Sequence, residues 1–447
     1  VALASHGADG LYLFKFGQTD SGGTNYGIAK NGTHYVQNGT VNTANNYGGS
    51  TKSAEVFRLF RKAAGQGRPR LAFTATAGAV TNTTTGLWTL ATRNSDQLRH
   101  HVFLANKNSN PISLQLNLAS LSLTNRVPVF VESVDSKSGG GAVLAGNLGS
   151  DGLISLGSIP GQSVWLATVP SSSAGLVAWE AEEDAELADG TGKNLSSGSR
   201  SALQVRADGT TNGRRVALIK IPVSTGDIAA VRSVYLDLEV AATTNTTVQA
   251  HVYGLNQDAW AEADATWANS SAFLLQSVPA GTQTSNNVVA NTGSNPPARM
   301  LGQLVADSIT PSRRSLDVTE FVQAQTDGYA SFLVVQDHRW DYSAEKLATR
   351  TPGDIQPGGM VVSSREKSGC GPRLIGVTAT APTNPPVILI HPADNYLGLG
   401  ATATFGVAAD LSIPVIYQWR KNGTVLAGAT NSTLVLTNIT AAEVGAY

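Results

Sequence analysis

The sequence predicts a mainly β fold in which tandem β-sandwich domains follow a single βα unit. Two observations support this class. Glycine is abundant, with 46 in 447 residues, whereas charged residues make up only 14%. Together with many Thr, Ser, Asn and Val residues, this composition is typical of short strands joined by tight turns. After residue 70, apolar residues recur with a period of two. The length indicates about three domains rather than one.

The first segment, residues 1–70, predicts the βα unit. An apolar run at 11–16 lies between two glycines and predicts a strand. Residues 52–64 predict a helix, because apolar side chains repeat there at helical spacing. We expect this face to be exposed unless a barrel or a partner chain covers it, so the segment should be the least stable part. The apolar face consists of Val56, Leu59, Phe60 and Ala63.

Residues 71–170 predict an accessory β-sandwich. Short apolar runs follow one another between clusters of turn residues, a spacing typical of an antiparallel sandwich. The seven runs lie at 87–91, 101–105, 112–118, 127–134, 142–148, 153–156 and 163–169.

Residues 174–380 predict a larger sandwich of the jelly-roll type. A short helix is expected at 317–324 and a long loop at 281–299, which is rich in Gly, Asn, Ser, Thr and Pro. The strand-like runs lie at 216–221, 231–240, 247–253, 331–336, 359–363 and 373–379.

Residues 385–447 alternate again, and they contain Trp419 and a late Glu-x-Gly-x-Tyr pattern. With these features the segment resembles an incomplete bacterial immunoglobulin-like (Ig-like) domain. Trp419 fits the tryptophan that such domains bury on their third strand. The late Glu-x-Gly-x-Tyr pattern that ends at Tyr447 fits their tyrosine corner. The family's disulfide is absent, because Val407 stands where the first cysteine is expected. The resemblance implies a spacer or adhesive module without chemistry.

Residues 174–380 contain an ordered series of stretches that includes Trp260, Trp267 and the Ser-Leu-Asp-Val-Thr run at 315–319. In these stretches the segment resembles the DNRLRE-type carbohydrate-binding modules of secreted polysaccharide-degrading proteins. The resemblance implies that this segment binds a polysaccharide. Trp260 and Trp267 belong to the matching stretches, and we expect both rings to lie in the core. The stretches occur in order at 217–221, 233–238, 252–253, 260–262, 266–267, 315–319, 363–366 and 372–374.

The first 170 residues resemble the end of a large glycoside hydrolase of the agarase and porphyranase kind. In such enzymes a (β/α)₈ barrel precedes small sandwiches, so 11–19 and 52–64 would be the last strand and helix. Four polar residues would then lie near the sugar-binding cleft, although Lys15 could instead form a structural ion pair. The catalytic carboxylates usually come from the fourth and seventh strands, so we expect none in this fragment. The cleft candidates are Lys15, Gln18, Thr19 and Asp20.

A polar and aromatic cluster after the run at 331–336 is the expected glycan site. Aromatic rings can stack on sugars, and Arg339 with His338 would suit an acidic or sulfated algal glycan. The alternative is a folded loop that packs its own aromatic rings. The cluster consists of His338, Arg339, Trp340 and Tyr342.

The acidic stretch at 179–184 resembles the first strand of several sugar-binding sandwiches, in which alternate carboxylates hold a structural calcium. Strand alternation would place Glu180 and Glu182 on one face, and calcium prefers such oxygen ligands. The alternative is a solvated acidic strand start. No other cofactor is expected.

Charge and cysteine content restrict the class of protein further. The net charge of −1 gives no bulk attraction to nucleic acid or to an anionic membrane. A single cysteine, Cys370, permits no internal disulfide. The resemblances above imply the polysaccharide-binding part of a secreted or surface-exposed bacterial glycoside hydrolase, one that acts on an algal polysaccharide of the agar, porphyran or alginate kind. As a fragment, the chain is expected to be non-catalytic. The alternative is a non-catalytic adhesin or surface structural protein built from β-sandwiches.

Overall fold

The computed structural model confirms the mainly β class, with strands packed in several sheets. The predicted strand at 11–16 lies outside the described residues. The structure describes residues 36–37, 40–41, 52–64, 68–71, 86–93, 99–121, 127–135, 139–147, 151–170, 176–207, 213–244, 247–276, 289, 297–336, 340–341, 346–347, 358–378, 387–409, 415 and 417–447.

The N-terminal part contains one helix, α1, at Lys52–Ala64, as predicted. All seven strands predicted between residues 71 and 170 are present. The strands are β1 Val36–Gln37, β2 Thr40–Val41, β3 Leu87–Arg93, β4 Arg99–Asn106, β5 Ile112–Asn117, β6 Pro128–Val134, β7 Gly139–Asn147, β8 Leu153–Ile159 and β9 Ser163–Pro170.

The rest of the chain contains the remaining strands and two short helices, α2 Thr225–Ala230 and α3 Thr319–Gln323. The strands up to residue 378 are β10 Leu176–Glu180, β11 Glu183–Ala188, β12 Ala202–Val205, β13 Arg215–Pro222, β14 Val231–Ala242, β15 Val248–Leu255, β16 Ala298–Ala306, β17 Ser312–Asp317, β18 Tyr329–Gln336, β19 Trp340–Asp341, β20 Lys346–Leu347, β21 Met360–Ser363 and β22 Arg373–Thr378. The last strands are β23 Ile388–Ile390, β24 Ala403–Gly406, β25 Ala408–Ala409, β26 Arg420–Lys421, β27 Thr424–Val425 and β28 Thr433–Leu436.

The first sandwich, residues 86–170, has β3, β4, β9, β6 and β7 side by side in one sheet and the β5–β8 pair in a second. Alternation along β4 separates two apolar faces. Val102 and Leu104 belong to the cluster that includes residues of the β5–β8 pair, whereas Phe103 belongs to the cluster formed with α1. The first sandwich therefore has three layers, with α1 as the outer one.

Helix α1 is packed against the sheet of the first sandwich. Leu59 and Ala63 are completely buried, and Phe60 lies edge-on to Phe103 with the ring centroids 5.6 Å apart. The expectation that this apolar face needs a barrel or a partner chain is therefore wrong. Burial of apolar surface against the sheet stabilises the helix in this chain.

The second sandwich, residues 176–378, consists of two antiparallel sheets. The first sheet has the order β10, β22, β14 and β17, with β21 and β12 beyond one end of β14. The second has the order β11, β13, β18, β15 and β16. The core between them is aliphatic, and Phe321 and Phe332 meet in it with ring centroids 5.4 Å apart.

The two sandwiches are joined directly through their sheets. Ser315 of β17 pairs with Ala142 of β7, so that eleven strands form one continuous sheet within the described residues. Beside this junction, the rings of Phe130 and Tyr235 stack 3.8 Å apart. This contact joins side chains of the second sandwich to the apolar core of the first.

The C-terminal segment, residues 387–447, has short strand pairs around Trp419, which is 7% exposed. The Tyr447 hydroxyl donates a hydrogen bond to the Glu443 carbonyl at 2.8 Å, a contact typical of a tyrosine corner. The Ig-like assignment stays a prediction. In the part of the chain that the structure describes, we find no helix with the length and apolar character needed to cross a membrane.

Candidate functional site

Most of the predicted site residues lie outside the described residues. This applies to the four cleft candidates Lys15, Gln18, Thr19 and Asp20, and to His338, Arg339 and Tyr342 of the predicted glycan site. Of that site, only the backbone of Trp340 is described, in β19, where it pairs with Leu347 of β20. These sites stay predictions.

The structure places Glu180 and Glu182 on either side of a crossing between two sheets. Glu180 ends β10 and pairs in register with Arg373 of β22. The backbone of Glu182 instead bonds to Lys220 of β13, in the other sheet, and its carboxylate lies at the Tyr329 hydroxyl. The two carboxylates therefore have different neighbours. Among the described residues, no group of three or more potential ligands has metal-binding geometry, and the calcium site stays a prediction.

A different polar group stands out on the outer face of the five-stranded sheet. Along β13, Val216 and Leu218 point outward into an apolar cluster covered by the segment 256–276. Lys220 follows on the same face by the alternation of strand side chains. Its register partners are Glu183 on β11 and Ser331 on β18. A row of three polar side chains thus continues the face beyond its apolar part.

Trp260 lies against this row and completes what we call the Trp260 cluster, formed by Glu183, Lys220, Trp260 and Tyr329. The Lys220 ammonium lies 4.8 Å from the centroid of the Trp260 ring and 5.4 Å from that of Tyr329. It also forms an ion pair with Glu183 at 2.8 Å. The Trp260 indole donates a hydrogen bond to Ser331 Oγ at 3.1 Å.

The two aromatic rings of the cluster remain half-buried, so part of each is open to solvent. The prediction that Trp260 and Trp267 both lie in the core is therefore right only for Trp267, which is 1% exposed. Trp260 packs at the edge of the same apolar cluster. Cation–π contact and the indole hydrogen bond hold its ring in one orientation.

Carboxylates surround the cluster. The negative charge of Glu182, which also accepts a hydrogen bond from the Tyr329 hydroxyl, raises the pKa of Tyr329. Burial, opposed by Ser331 and reinforced by Asp327, raises the pKa of Asp258 to about 6. These acceptors lie beside aromatic rings, and this combination of groups can bind the hydroxyls and the apolar face of a sugar.

A brace with a buried carboxylate at one end holds the segment that carries Trp260 on the sheet. The Asp184 side chain is completely buried and accepts a hydrogen bond from the Arg365 amide at 2.7 Å. The Arg365 guanidinium binds Glu262 at 2.7 Å, two residues after Trp260. The Glu262 amide donates in turn to Glu183 at 3.2 Å. The brace therefore couples the position of Trp260 to β11.

Asp184 makes this brace sensitive to pH. Burial, reinforced by Glu366 and Glu262, raises the pKa of Asp184 from 3.8 to about 7. A raised pKa means that the folded state holds the proton more tightly, so the parent chain should lose stability as the pH rises through this window. We expect Asp184→Asn to remove that loss when thermal unfolding is followed across the window. The exposed control, Asp264→Asn, should behave like the parent; identical pH profiles for parent and Asp184→Asn would contradict the assignment.

One local feature of the sequence points to the Trp260 cluster. Lys220 interrupts an otherwise apolar run at 216–221, and a buried lysine requires a partner. The local pattern does not predict the partners of Lys220, because they lie far from it in the sequence. Glu183, Trp260 and Tyr329 come from three separate elements.

Comparison with known families supports a function for this part of the chain. Residues 176–289 match the sequence model of carbohydrate-binding module family 96. The match includes Glu183, Lys220 and Trp260. A search of curated proteins finds no match to the chain.

Several solved structures show weak similarity. A GH30 endoxylanase from Clostridium papyrosolvens C71 is 19% identical over 30% of this chain and 29% of its own, with a TM-score of 0.21. A β-porphyranase of glycoside hydrolase family 86 from Bacteroides plebeius is 13% identical over 74% of this chain and 42% of its own, with a TM-score of 0.21. The chain thus spans less than half of either protein. The family match, rather than these similarities, supports carbohydrate binding by residues 176–289.

Proposed function

We propose that the chain binds a polysaccharide through the second sandwich and that the Trp260 cluster contacts the sugar. The match of residues 176–289 to a carbohydrate-binding family carries this proposal. Three of the four cluster residues lie in that segment, where an oriented, partly exposed indole lies beside a carboxylate and a lysine.

The geometry suggests how a sugar would be held. The apolar face of a pyranose ring can stack on the open part of Trp260, while Glu182 and Tyr329 can exchange hydrogen bonds with its hydroxyls. Because Lys220 and Ser331 already orient the indole, little side-chain freedom remains to be lost on binding.

We further propose that the chain is the accessory portion of a secreted bacterial glycoside hydrolase that acts on an algal polysaccharide of the agar, porphyran or alginate kind. The resemblance of residues 1–170 to the end of such enzymes supports this context. The catalytic carboxylates would lie elsewhere in the parent protein. An acidic or sulfated glycan is part of this proposal, for which Arg339 and His338 are the sequence evidence.

Affinity electrophoresis of the full chain on neutral and acidic algal polysaccharides tests the proposal. The parent should be retarded on at least one of them. Trp260→Ala should weaken binding about thirtyfold, since losing a stacking ring from a well-packed site typically costs about 2 kcal/mol. Tyr396→Ala is the matched control, because Tyr396 is 91% exposed and lies outside the second sandwich.

Two further results decide between sites and functions. Loss of retardation in Trp340→Ala but not in Trp260→Ala would move the site to the 338–342 cluster. Free migration of the parent on every polysaccharide, including neutral plant glucans, would overturn carbohydrate binding and favour the adhesin alternative.

A further inference from the structure

A large cleft lies where helix α1 and the two sandwiches meet. Its volume is about 710 Å³, within the range of small-molecule sites. Helix α1 contributes Arg58 and Lys62, the first sandwich contributes Arg99, and the second contributes Arg232 and Arg299. The cleft is distant in the fold from the outer sheet face that carries the Trp260 cluster, because it opens at β14, β16 and β17 rather than at β11 and β13.

The described walls of the cleft are strongly basic. Six cationic side chains line it, the five above and Arg68, against the two carboxylates of Asp317 and Glu320. Glu132, behind the wall, neutralises part of the charge of Arg58 and Lys62. The whole chain, in contrast, has 31 basic and 32 acidic residues. The positive charge is therefore a local feature of this junction.

His101, in the wall of the cleft, reports the same field. The ring is 4% exposed, and its Nδ1 lies 3.3 Å from the Thr168 hydroxyl. Burial first, and then the charges of Arg68, Arg99 and Lys62, lower the pKa of His101 to about 3. The imidazole is therefore neutral at physiological pH and adds no charge of its own to the cleft.

We propose that this cleft is a second glycan-binding site, which takes the sulfate or carboxylate groups of an acidic polysaccharide. Guanidinium groups suit these anions because their planar donors match two oxygens at once. Three parts of the chain supply the cations, so the site forms only when α1 and both sandwiches are assembled. The identity of the anion carrier as a glycan rests on the proposed function; the anion site itself rests on the cleft.

Calorimetric titration of the full chain with sulfated carrageenan oligosaccharides, alginate oligosaccharides and neutral agarose oligosaccharides tests the inference. Acidic probes should bind more tightly than neutral ones, and added salt should weaken the difference. Arg232→Gln and Arg299→Gln should each reduce affinity for the acidic probes about tenfold, the effect of losing one charge-assisted hydrogen bond. Binding of neutral probes should not change.

The controls separate a charge effect from misfolding. Arg299 is 60% exposed and pairs only loosely with Glu320, at 3.5 Å, so its replacement should leave the fold intact. Arg299→Lys should retain most of the salt dependence. Lys193→Gln removes an exposed cation from the same sandwich away from the cleft and should bind like the parent.

The results that would overturn the inference are distinct from failure of the proposed function. If both arginine variants bind the acidic probes as tightly as the parent does, the cleft is excluded as the anion site. If the parent binds single-stranded DNA more tightly than acidic oligosaccharides of equal charge, a glycan is excluded as the ligand of the cleft. If no oligosaccharide binds the parent, the proposed function fails. Titration of the parent with inorganic sulfate then tests the anion site by itself. In that case, absence of saturable sulfate binding to the parent, or equal sulfate affinity of the parent and Arg299→Gln, would exclude it.

Discussion

Arg214→Met is expected to lower the free energy of unfolding of the second sandwich by about 3–5 kcal/mol, because it leaves a carboxylate buried without its cation. Asp189 and Arg214 form an ion pair whose side chains are 2% and 5% exposed. The Arg214 guanidinium also lies 5.2 Å from the centroid of the buried Trp267 ring. The pair therefore ties the turn after β11 to the segment that covers the outer sheet face.

Burial raises the pKa of Asp189 even though Arg214 opposes this effect. Removing the cation should raise the pKa further. The double variant Asp189→Leu with Arg214→Met should be much less destabilised than either single variant, because no uncompensated charge remains. Urea unfolding measures the free energy of unfolding of each variant. Amide hydrogen exchange of residues 216–221 measures the local stability of β13.

The exposed control for this experiment is Lys193→Met, which lies in the neighbouring turn and should change stability by less than about 0.5 kcal/mol. A single Arg214→Met variant as stable as this control would show that the buried pair contributes nothing to folding. Equal losses in the single and double variants would instead point to lost packing on Trp267.

Lys62→Met is expected to destabilise the docking of α1 by about 3 kcal/mol. The Lys62 ammonium binds Glu132 of the first sandwich at 2.8 Å and Asp317 of the second at 2.7 Å. Glu132 is 3% exposed and is also bound by Arg58 at 2.8 Å. One lysine thus joins three parts of the chain, and methionine would leave Asp317 without its cation.

The same triad predicts a pH dependence. Burial alone would raise the pKa of Glu132 and of Asp317. Lys62 and Arg58 together outweigh burial at Glu132, and Lys62 together with the hydrogen bonds from Thr319 outweighs it at Asp317, so both pKa values lie below the ordinary ones. Depressed carboxylate pKa values stabilise the folded state above the ordinary values of 4.5 and 3.8, and this stability is lost as the pH falls below them. Lys62→Met should show a smaller loss on acidification.

Hydrogen exchange of the amides in 52–64 measures this docking directly, because local opening exposes the helix without global unfolding. Arg61→Met is the matched control on the same helix, since Arg61 is exposed. Exchange in Lys62→Met that equals exchange in the Arg61 variant would contradict a role for the triad.

The sequence predicted the elements whose pattern is local. Seven strands of the first sandwich and helix α1 are present, as is the short helix that begins at Thr319. Each has an apolar period that is complete within one segment, and this period alone decides which face can be buried. Strand β16, by contrast, was not predicted, and its first residues fall in the expected loop at 281–299. Arg299 and Gln303 fall in the same alternate set of sequence positions as two apolar residues, at 301 and 305, so the sequence shows no consistently polar face.

Strand β11 shows that an acidic sequence does not have to be exposed to solvent. The prediction concerned the stretch 179–184, with Glu180 and Glu182 as solvated or calcium-binding residues. Asp184, at the end of that stretch, and Glu186, beyond it, are completely buried. Glu186 is neutralised by Arg200 at 3.0 Å and by Arg215 at 3.2 Å. A buried carboxylate is tolerated only when it is paired or hydrogen-bonded, and its partners here come from other segments.

Both candidate sites depend on residues that are far apart in sequence. The residues of the Trp260 cluster come from three strands and one loop. The residues of the basic cleft come from α1 and both sandwiches. The sequence alone is sufficient to show on which face of its own helix or strand each residue lies, because this depends only on local periodicity. Which faces meet depends on long-range strand pairing, such as the pairing of Ser315 with Ala142, and on the burial of Leu59 against the sheet. Those contacts gain free energy only when the whole chain is assembled, so only the tertiary structure decided where charge and aromatic surface come together.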